Sequence, residues 1–469
     1  MINLKGSIKN IILSGMINIF VAEIFNKIVV FISSIFVIRV LTTSEYGMLS
    51  IENNIFSISI LFTGFGITSG VLQFCSEKRE RTEKLSILSY GILIGLLSSI
   101  ILSVLIYIYG CNYSSVIAAR KYIKQAALLP LFYYLFIIGT IYLRSQREIK
   151  KYTALLIINT IIYAALSIVG AKLFGVSGVI YSRYLGYIVA ALLGFIYLKD
   201  DIYEGFSYLK GLSYKVKKEL WKYSIMCGVV GAINQMAYLI DVAMISEMIK
   251  DAKMVGIYKV STLIPENLNF IPNSVMIVII PYYAYHLSDK KWISSTTKRL
   301  IKIMATINSS IVILLFILSP LIIKMIWGEK YELSVFAFRI LLISYFFLGT
   351  FRLISTQILA SQRYAHINLW ISVASLIFNI IGNYILIKKL GINGAAMATT
   401  VATFVLMVTV AWWTLKKANA TLEYGNLGKI AVTSILMAIV LLFIPHTFAY
   451  THAYGANPLG IIFAFIYIL

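Results

Sequence analysis

Three polar side chains recur every seven residues along an otherwise apolar stretch of the sequence. Lys259, Glu266 and Asn273 would share one face of a helix, because seven residues make about two turns. Pro265 and Pro272 each precede a member of this stripe, and a proline kinks a helix by removing a backbone hydrogen bond. A lysine in such a place can bind a phosphate, and a carboxylate can carry a proton or a cation. The pattern predicts a kinked helix that lines a polar cavity, with a bent packing helix as the alternative.

An acid and a base share one face of the first long apolar stretch. Glu23 and Lys27 are four residues apart, which places them on the same side of a helix. We predict that Lys27 presents a positive charge to a central cavity; the alternative is a pair that neutralises itself and so permits insertion. Asn234 and Asp241 share a face of a later helix by the same geometry. Asp241 is predicted either to bind a cation or carry a proton, or to lock a neighbouring helix.

Three further charges fall in or beside apolar stretches. Arg352 lies deep in its stretch and is predicted to reach the same cavity. Arg39 and Glu52 lie near the ends of the first two stretches and are predicted either to form a gate pair or to anchor helices at the membrane interface. The predicted cavity residues that would bind a substrate are Lys27, Lys259, Arg352, Glu23, Glu266 and Asn273. The predicted ion-coupling residues are Asp241, Asn234 and Glu266.

The composition places these charges in a membrane protein. Of the 469 residues, 60% are hydrophobic and 13% are charged, and the mean hydropathy is +0.87. A soluble domain is roughly a quarter charged, so an ordinary soluble enzyme is excluded. The net charge of +22 would suggest a nucleic-acid partner in a soluble protein, but in a membrane protein it reports the side on which each loop lies. The 3 cysteines and 4 histidines show no metal-ligand spacing, so no metal site is expected.

The apolar stretches are long enough to cross a bilayer, whose core of about 30 Å needs about 20 helical residues. We expect an all-α polytopic membrane protein with about 14 transmembrane helices, the last of them truncated. The expected spans are 11–41, 46–74, 85–109, 117–143, 152–172, 176–198, 221–248, 255–285, 297–326, 331–361, 364–388, 391–416, 426–446 and a partial span from 459. Lys and Arg are more than twice as frequent on one side, which predicts a cytoplasmic N-terminus.

The sequence repeats itself at an offset of 216 residues. The matching segments are 145–147 with 361–363 (Ser-Gln-Arg in both) and 175–178 (Gly-Val-Ser-Gly) with 391–394 (Gly-Ile-Asn-Gly). A second match, of 46–48 with 255–257, has an offset of 209. The shift spans six helices, an even number that preserves helix direction, so the halves are parallel repeats. Transporters place their substrate between halves of this kind.

Several enzyme signatures are missing from the sequence. There is no GxxxxGK[ST] phosphate loop, no HExxH and no GxSxG. There is also no large external loop, which membrane-bound glycan polymerases and ligases commonly carry for their chemistry. We therefore expect a transporter and not an enzyme, and we predict no catalytic residue.

Three segments resemble one transporter family. Residues 39–47 (Arg-Val-Leu-Thr-Thr-Ser-Glu-Tyr-Gly) resemble the end of the first span in polysaccharide transporters. Asp241 followed by 255–258 (Val-Gly-Ile-Tyr) is similar to the family's segment in spans seven and eight. Residues 391–396 (Gly-Ile-Asn-Gly-Ala-Ala) look like its start of span twelve. The chain therefore resembles Wzx-type flippases of lipid-linked oligosaccharides, in the MOP superfamily, up to about residue 446.

The resemblance implies two parallel six-helix lobes in a V shape, followed by two C-terminal helices. The implied domains are 1–198 for the first lobe, 199–220 for a cytoplasmic linker, 221–417 for the second lobe and 418–469 for the last two helices. It also implies alternating access, which would move an undecaprenyl-pyrophosphate-linked oligosaccharide from the cytoplasmic to the outer leaflet for O-antigen in lipopolysaccharide biosynthesis, for capsule or for a similar surface polysaccharide. The family's cavity is typically cationic, and that role falls on Lys27, Lys259 and Arg352.

The resemblance sets expectations for partners and location. Glu23 and Glu266 depart from a purely cationic cavity, so an Na⁺ or H⁺ gradient is a candidate driving force, and no cofactor is expected. The expected partners are the polyprenyl-diphosphate-linked oligosaccharide, the lipid bilayer, a polysaccharide polymerase and its chain-length machinery, with no nucleic acid. The expected location is the bacterial cytoplasmic (inner) membrane.

Alternative functions remain open from the sequence. A MATE-like drug/cation antiporter would have a cavity dominated by acids and aromatic residues, whereas bases are at least as frequent among the embedded residues here. A peptidoglycan-precursor flippase of the same superfamily would share the cationic cavity. A membrane glycosyltransferase or polymerase would need an external catalytic loop.

Overall fold

The computed structural model describes residues 16–286, 289–361 and 365–418, and this part of the chain is built from α-helices. The first helices are α1 (Met16–Val40), α2 (Thr43–Phe62), α3 (Ile67–Ser76), α4 (Arg81–Ile108), α5 (Arg120–Gln125), α6 (Leu129–Ser145), α7 (Ile149–Tyr208) and α8 (Tyr214–Ile249). The following helices are α9 (Ala252–Leu268), α10 (Phe270–Tyr285), α11 (Lys290–Ile317), α12 (Ser319–Trp327), α13 (Val335–Phe347), α14 (Leu353–Ser361), α15 (Ala365–Leu390) and α16 (Ile392–Ala418). The all-α membrane fold is thereby confirmed.

Short segments of tighter or wider helix join several of these elements. The 3₁₀ segments are Thr63–Gly66, Ile117–Ala119, Leu209–Gly211 and Glu329–Ser334, and the π-helical turns are Tyr109–Tyr113 and Leu348–Arg352. The region predicted as a linker between lobes is largely helical. In this region α7 continues to Tyr208, and α8 begins at Tyr214 with the Ser213 side chain accepting a hydrogen bond from the backbone N–H of Val216.

Many helices are suited to crossing a membrane. Among the described residues, nine helices are long and apolar enough, or ten if the pair Ile117–Gln125 and Leu129–Ser145, bent by 43°, counts as one span. The segment Ile149–Gly211 has 63 residues, which is about 95 Å of helix and enough for two crossings. Each expected span from the first to the twelfth coincides with one described helix or with successive ones. The last two expected spans lie outside the described residues, so the total of 14 stays a prediction.

The repeat reappears in the backbone as two equivalent helix breaks. Gly175 interrupts α7 with a φ of +60°, and Gly391 separates α15 from α16 with a φ of +59°. Only glycine adopts this left-handed region without strain, so the chain can reverse direction at these points. The break at Gly175 divides α7 between the two expected spans 152–172 and 176–198.

The helices on either side of each break pack equally closely. A methyl group on Gly178 would collide with the carbonyl oxygen of Gly170, and one on Gly394 would collide with that of Leu386. Both pairs differ by the offset of 216 residues that the sequence predicts. Small residues allow this close approach, which stabilises helix pairs in lipid through van der Waals contact.

The helix with the polar stripe is broken where the prolines predict a kink. Helix α9 ends at Leu268 and α10 begins at Phe270, and Pro265 lies inside α9. Pro272 has no N–H to donate to the carbonyl of Leu268, four residues earlier, so the helix cannot continue regularly across this point.

The described residues form two compact units. The first contains the residues up to Val260 with Ile326–Leu333 and Leu376–Ala398, and the second contains Ser261–Met325, Ser334–Ser375 and the residues from Thr399. In the first unit α8 packs on the helices that precede it, and Leu220 is fully buried in their apolar core. The second unit has a separate core that includes Met304 and Ile358. The first unit thus includes α8, which the repeat assigns to the second half, and the division into two lobes stays a prediction.

Candidate functional site

A buried carboxylate on α8 is the centre of a polar cluster in the first unit. Tyr258 of α9 donates its hydroxyl hydrogen to Asp241 Oδ2 at 2.6 Å, and Asn383 of α15 donates from Nδ2 to Asp241 Oδ1 at 2.7 Å. Asn383 Nδ2 also lies 3.1 Å from Asn379 Oδ1, one turn earlier. All four side chains are at most 5% exposed. We call Asp241, Tyr258, Asn379 and Asn383 the Asp241 cluster.

The cluster is rich in oxygen atoms that suit a small cation. Among the described residues, the buried Oδ1 atom of Asn383 has no hydrogen-bond partner. Carboxylate and amide oxygens are the ligands that hard cations prefer, and an ionised acid inside a membrane helix is costly unless it serves a partner or an ion. The arrangement can therefore hold a cation or exchange a proton. No group of three or more His, Cys, Asp or Glu that could hold a metal ion occurs among the described residues.

The first half carries a neutral contact at the equivalent place. Ser33 of α1 and Ser167 of α7 share a hydrogen bond of 2.8 Å, and Ser33 also donates to the carbonyl oxygen of Ala164 at 3.2 Å. Ser167 precedes Asn383 by 216 residues, and Ser33 lies one residue from the position that the 209-residue offset assigns to Asp241. The two halves therefore join equivalent helices through chemically different pairs.

A buried ion pair lies elsewhere in the first half. Arg183 of α7 contacts Glu52 of α2 through Nη1, at 3.2 Å from Oε1, and donates from Nη2 to Asn53 Oδ1. The Arg183 guanidinium lies 5.4 Å from the ring centre of Phe56 and 5.8 Å from that of Tyr163. The Arg183 and Glu52 side chains are 8% and 0% exposed. Such a pair is costly to bury and requires both partners.

The two predicted gate or interface residues belong to different networks. Glu52 pairs with Arg183, as described, while Arg39 donates from Nε to the carbonyl oxygen of Ile326 at 2.8 Å. Lys330 donates to the carbonyl oxygen of Arg39 at 3.1 Å. Arg39 and Glu52 therefore do not form a pair. The hydrogen bonds of Arg39 instead connect the end of α1 with the segment Ile326–Leu333.

Two glycines make a reciprocal contact between α2 and α9. A methyl group on Gly47 would collide with the carbonyl oxygen of Ala252, and one on Gly256 would collide with that of Thr43. Gly47 and Gly256 are separated by 209 residues, and so are Thr43 and Ala252. Each helix therefore presents the same surface to the other, as two parts related by a twofold axis do.

The predicted cavity residues of the first unit are exposed or half-buried. Glu23 and Lys27 are exposed on α1, and Lys259 is half-buried on α9. Asn234 is exposed on α8, two turns before the buried Asp241. Only Asp241 of the predicted ion-coupling residues is therefore placed in a buried polar cluster among the described residues of this unit.

The remaining predicted residues lie in the second unit. Glu266 is half-buried on α9 and Asn273 is exposed on α10. Arg352 is half-buried at the end of a π-helical turn, beside Thr350, whose hydroxyl accepts a hydrogen bond from Asn308 at 3.1 Å. Turns of π-helix are frequent at functional sites. The grouping of these residues with those of the first unit in one cavity stays a prediction.

Sequence reasoning did not select several residues of these clusters. Asn379 and Asn383 are four residues apart in an apolar helix, and this spacing of two amides is a signal that the sequence contains. Arg183 lies in an apolar stretch like the selected bases. The pairing of Arg183 with Glu52, 131 residues away, comes from the tertiary structure alone.

Known proteins share both sequence and fold with this chain. Residues 36–336 match the family described as polysaccharide biosynthesis protein. The "Probable low-salt glycan biosynthesis flippase Agl15" of Haloferax volcanii is 24% identical over 465 residues, covering 94% of this chain and 90% of that protein. An uncharacterized membrane protein of Methanocaldococcus jannaschii is 25% identical over 414 residues, covering 82% of this chain and 93% of that protein.

Two solved structures have a similar fold. The lipid II flippase MurJ in an inward closed conformation gives a TM-score of 0.70 at 17% identity, covering 94% of both chains. An inward-facing multidrug resistance MATE family transporter of the MOP superfamily gives a TM-score of 0.73 at 12% identity, covering 84% of this chain and 94% of that chain. The family match spans more than half of the chain, so the expected resemblance to a polysaccharide family is confirmed. The chain belongs to the polysaccharide biosynthesis protein family, and its fold is similar to the folds of these two transporters.

Proposed function

We propose that this protein moves an undecaprenyl-pyrophosphate-linked oligosaccharide from the cytoplasmic to the outer leaflet of a bacterial cytoplasmic membrane. The product would supply O-antigen, capsule or a similar surface polysaccharide. The observation that carries the proposal is the placement of Lys27 and Lys259 on apolar helices of a chain in this family. The relative from Haloferax volcanii, whose name describes a glycan biosynthesis flippase, supports the same class of cargo.

Embedded bases suit a diphosphate-linked cargo. A diphosphate carries negative charge that has to be offset before it can cross a region of low dielectric constant. Lys27 is exposed on α1 and Lys259 is half-buried on α9, so neither base is enclosed in a packed core. Arg352 is the third base that the proposal assigns to the cargo. Glu23 and Glu266 would moderate this charge and keep the cargo from binding too tightly to leave.

The Asp241 cluster is the proposed site at which an ion gradient is coupled to transport. Its carboxylate contacts side chains of α9 and α15, so a change in its charge acts on three helices at once. Binding of Na⁺ or of a proton would change the charge at this carboxylate and favour one arrangement of these helices. Asn234 and Glu266 are the accessory candidates for the path of the ion.

The cytoplasmic N-terminus and the partners belong to the same proposal. The excess of Lys and Arg on one face supports a cytoplasmic N-terminus. A polysaccharide polymerase and chain-length machinery would accept the translocated unit on the outer face, because a flipped repeat unit has to be polymerised to become a long glycan.

The test is surface glycan export by cells that lack their own flippase. Lys27→Ala and Lys259→Ala, at normal expression levels, should each reduce surface glycan strongly, because each removes a charge that offsets the diphosphate. Lys253→Ala is the matched control, since this lysine is exposed at the start of the same helix as Lys259. Full export by both single variants would show that the cavity residues are assigned wrongly.

A second measurement separates the candidate cargoes. Purified protein in liposomes would be given a diphosphate-linked oligosaccharide, a lipid-linked peptidoglycan precursor or a cationic dye, and movement across the bilayer would be followed. The proposal expects movement of the diphosphate-linked oligosaccharide. Movement of the dye alone would indicate a MATE-like antiporter, and a preference for the precursor would indicate a peptidoglycan-precursor flippase.

A further inference from the structure

The amino-terminal part of α11 borders a cavity of about 580 Å³ that is lined by basic and hydroxyl side chains. The described lining residues are Lys290, Lys291, Ser294, Ser295, Lys298, Arg299 and Lys302. No acid occurs among these described lining residues. The opposite face of the helix is apolar and buried, with Ile293, Leu300 and Ile301 in the core of the second unit. The volume lies within the range of about 300–1,000 Å³ that is typical of ligand pockets.

A second cavity of the chain has a lining of mixed charge. It has a volume of about 440 Å³ and is lined by acids as well as bases. Arg79 contacts Glu77 at 2.9 Å and Glu83 at 2.6 Å, and Arg81 contacts Asp201 at 3.2 Å. Partial burial lowers the pKa of Arg79, but its hydrogen bonds to Glu77 and Glu83 outweigh this effect and raise the pKa above its ordinary value.

Membrane topology alone does not account for the difference between the two cavities. The preference for positive loops on the cytoplasmic side explains why bases are abundant in both places. It does not explain why acids stand beside the bases in one cavity while the described lining of the other contains five bases and no acid. A concentration of positive charge in a concave site favours an anion.

The basic face is held in place from the rear of the helix. The Trp292 ring stacks on His286 at 4.2 Å and meets Tyr283 edge-on at 5.4 Å. The Tyr283 and Thr297 hydroxyl groups share a buried hydrogen bond of 2.8 Å. Asp289, the acid that precedes the cluster, accepts a hydrogen bond from the backbone N–H of Trp292 at 3.0 Å and so caps the helix. The cavity is therefore bordered by a fixed surface.

We propose that this cavity binds the phosphate group of a membrane lipid. Lys and Arg form charge-assisted hydrogen bonds with phosphate oxygens, and serine hydroxyls add neutral donors. The inference uses the proposed cytoplasmic placement of this end of α11 and does not depend on the cargo of the transporter.

The sequence of α11 would place its bases at the level of lipid headgroups. From Lys290 to Lys302 the helix rises by about 18 Å, and the sequence from Ile303 to Ile317 has no charged residue. The basic face therefore ends where the apolar part of the helix begins. Two kinds of lipid carry a phosphate group at this level of the membrane. One is an anionic phospholipid, through its headgroup, and the other is a polyprenyl-linked lipid, through its diphosphate.

The experiment measures lipid binding by the full-length protein in nanodiscs of zwitterionic lipid. One arm adds an anionic phosphatidylglycerol, and the other adds undecaprenyl diphosphate. Lys298→Gln with Arg299→Gln should weaken binding by about tenfold, because two basic contacts near the membrane surface are lost. The difference should shrink at high salt, since the contacts are electrostatic.

The matched control removes the same charge from the other cavity. Lys84→Gln with Lys151→Gln should leave binding unchanged, because these bases line the cavity that also contains acids. Similar affinity in both arms identifies the headgroup of a bulk phospholipid, and a clear preference for the diphosphate identifies a loading site for a polyprenyl lipid. Equal binding by wild type and the Lys298/Arg299 variant in both arms, or an equal loss in the control, would overturn the inference. Lipid binding is measured without transport, so a failure of the flippase proposal would not affect the result.

Discussion

The two halves place their buried charges on different pairs of helices. The second half has Asp241 and Asn383 where α8 meets α15, whereas the first half has Ser33 and Ser167 where α1 meets α7. The first half instead buries the Glu52–Arg183 pair. In the second half, the residues equivalent to this pair are neutral. Glu52 corresponds to Ser261 at the 209-residue offset, and Arg183 corresponds to Thr399 at the 216-residue offset.

The two buried sites suit different roles. A salt bridge neutralises itself and holds two helices together, so it suits a half that moves as a rigid body. A carboxylate held by neutral donors keeps a charge that an ion or a proton can remove, so it suits a switch. We infer that the Glu52–Arg183 pair has a rigid structural role and that the Asp241 cluster senses the ion.

The largest expected effect comes from breaking the ion pair of the first half. Arg183→Met leaves the Glu52 carboxylate buried without its partner, which costs about 3–5 kcal/mol in comparable proteins. We expect a large fall in the thermal unfolding temperature of the purified protein in detergent, together with a low yield.

Two variants show whether the loss comes from the unpaired charge. The double variant Glu52→Gln with Arg183→Met removes both charges and should recover most of the stability. Arg81→Gln is the matched control, because its contact with Asp201 is exposed and such pairs contribute about 0–1 kcal/mol. A wild-type unfolding temperature for Arg183→Met alone would refute the rigid structural role of the pair.

The next effect concerns transport and not stability. Asp241→Asn keeps the size of the side chain and its place between Tyr258 and Asn383 but removes the charge. We expect an unfolding temperature close to that of the wild type and a loss of about tenfold in gradient-driven transport, which is typical of an energetic coupling between sites. The measurement is flipping in liposomes with and without an imposed Na⁺ or H⁺ gradient. A gradient response equal to that of the wild type would remove Asp241 from the coupling site.

The smallest effect is expected at the neutral counterpart. Ser33→Ala removes the hydrogen bonds to Ser167 and Ala164, and a neutral bond of this kind contributes about 0.5–1.5 kcal/mol. We expect a small fall in the unfolding temperature and an unchanged response to the gradient in the same liposome assay. A loss of gradient response as large as that of Asp241→Asn would mean that the halves do not differ in the way proposed.

The sequence was sufficient for most of the fold. Long apolar stretches locate the helices because a membrane requires a fixed helix length, and the Gly175 and Gly391 breaks follow from the repeated segments. The kink between α9 and α10 follows from Pro265 and Pro272. These features depend on local sequence, so a single sequence contains enough information to predict them.

The polar clusters were harder to predict. Asp241 is visible as a lone acid, but its bonds to Tyr258 and Asn383 depend on how three helices pack. Glu52 and Arg183 are 131 residues apart, and the charge pattern offers Arg39 as an equally plausible partner. The packing of α8 on the first unit is likewise absent from the repeat, because a repeat describes helix order and not the conformation adopted.

The reciprocal contact of Gly47 and Gly256 bears on the ancestry of the chain. Each glycine packs against a carbonyl oxygen of the other helix, and the two carbonyl groups occupy equivalent positions in the repeat. A contact of this kind is found between two identical subunits. A half-length ancestor could have formed this contact as a homodimer before its gene was duplicated and fused. Fusion then freed the two copies to diverge elsewhere, as Asn383 and Ser167 have done, while the close approach still requires a glycine on both sides.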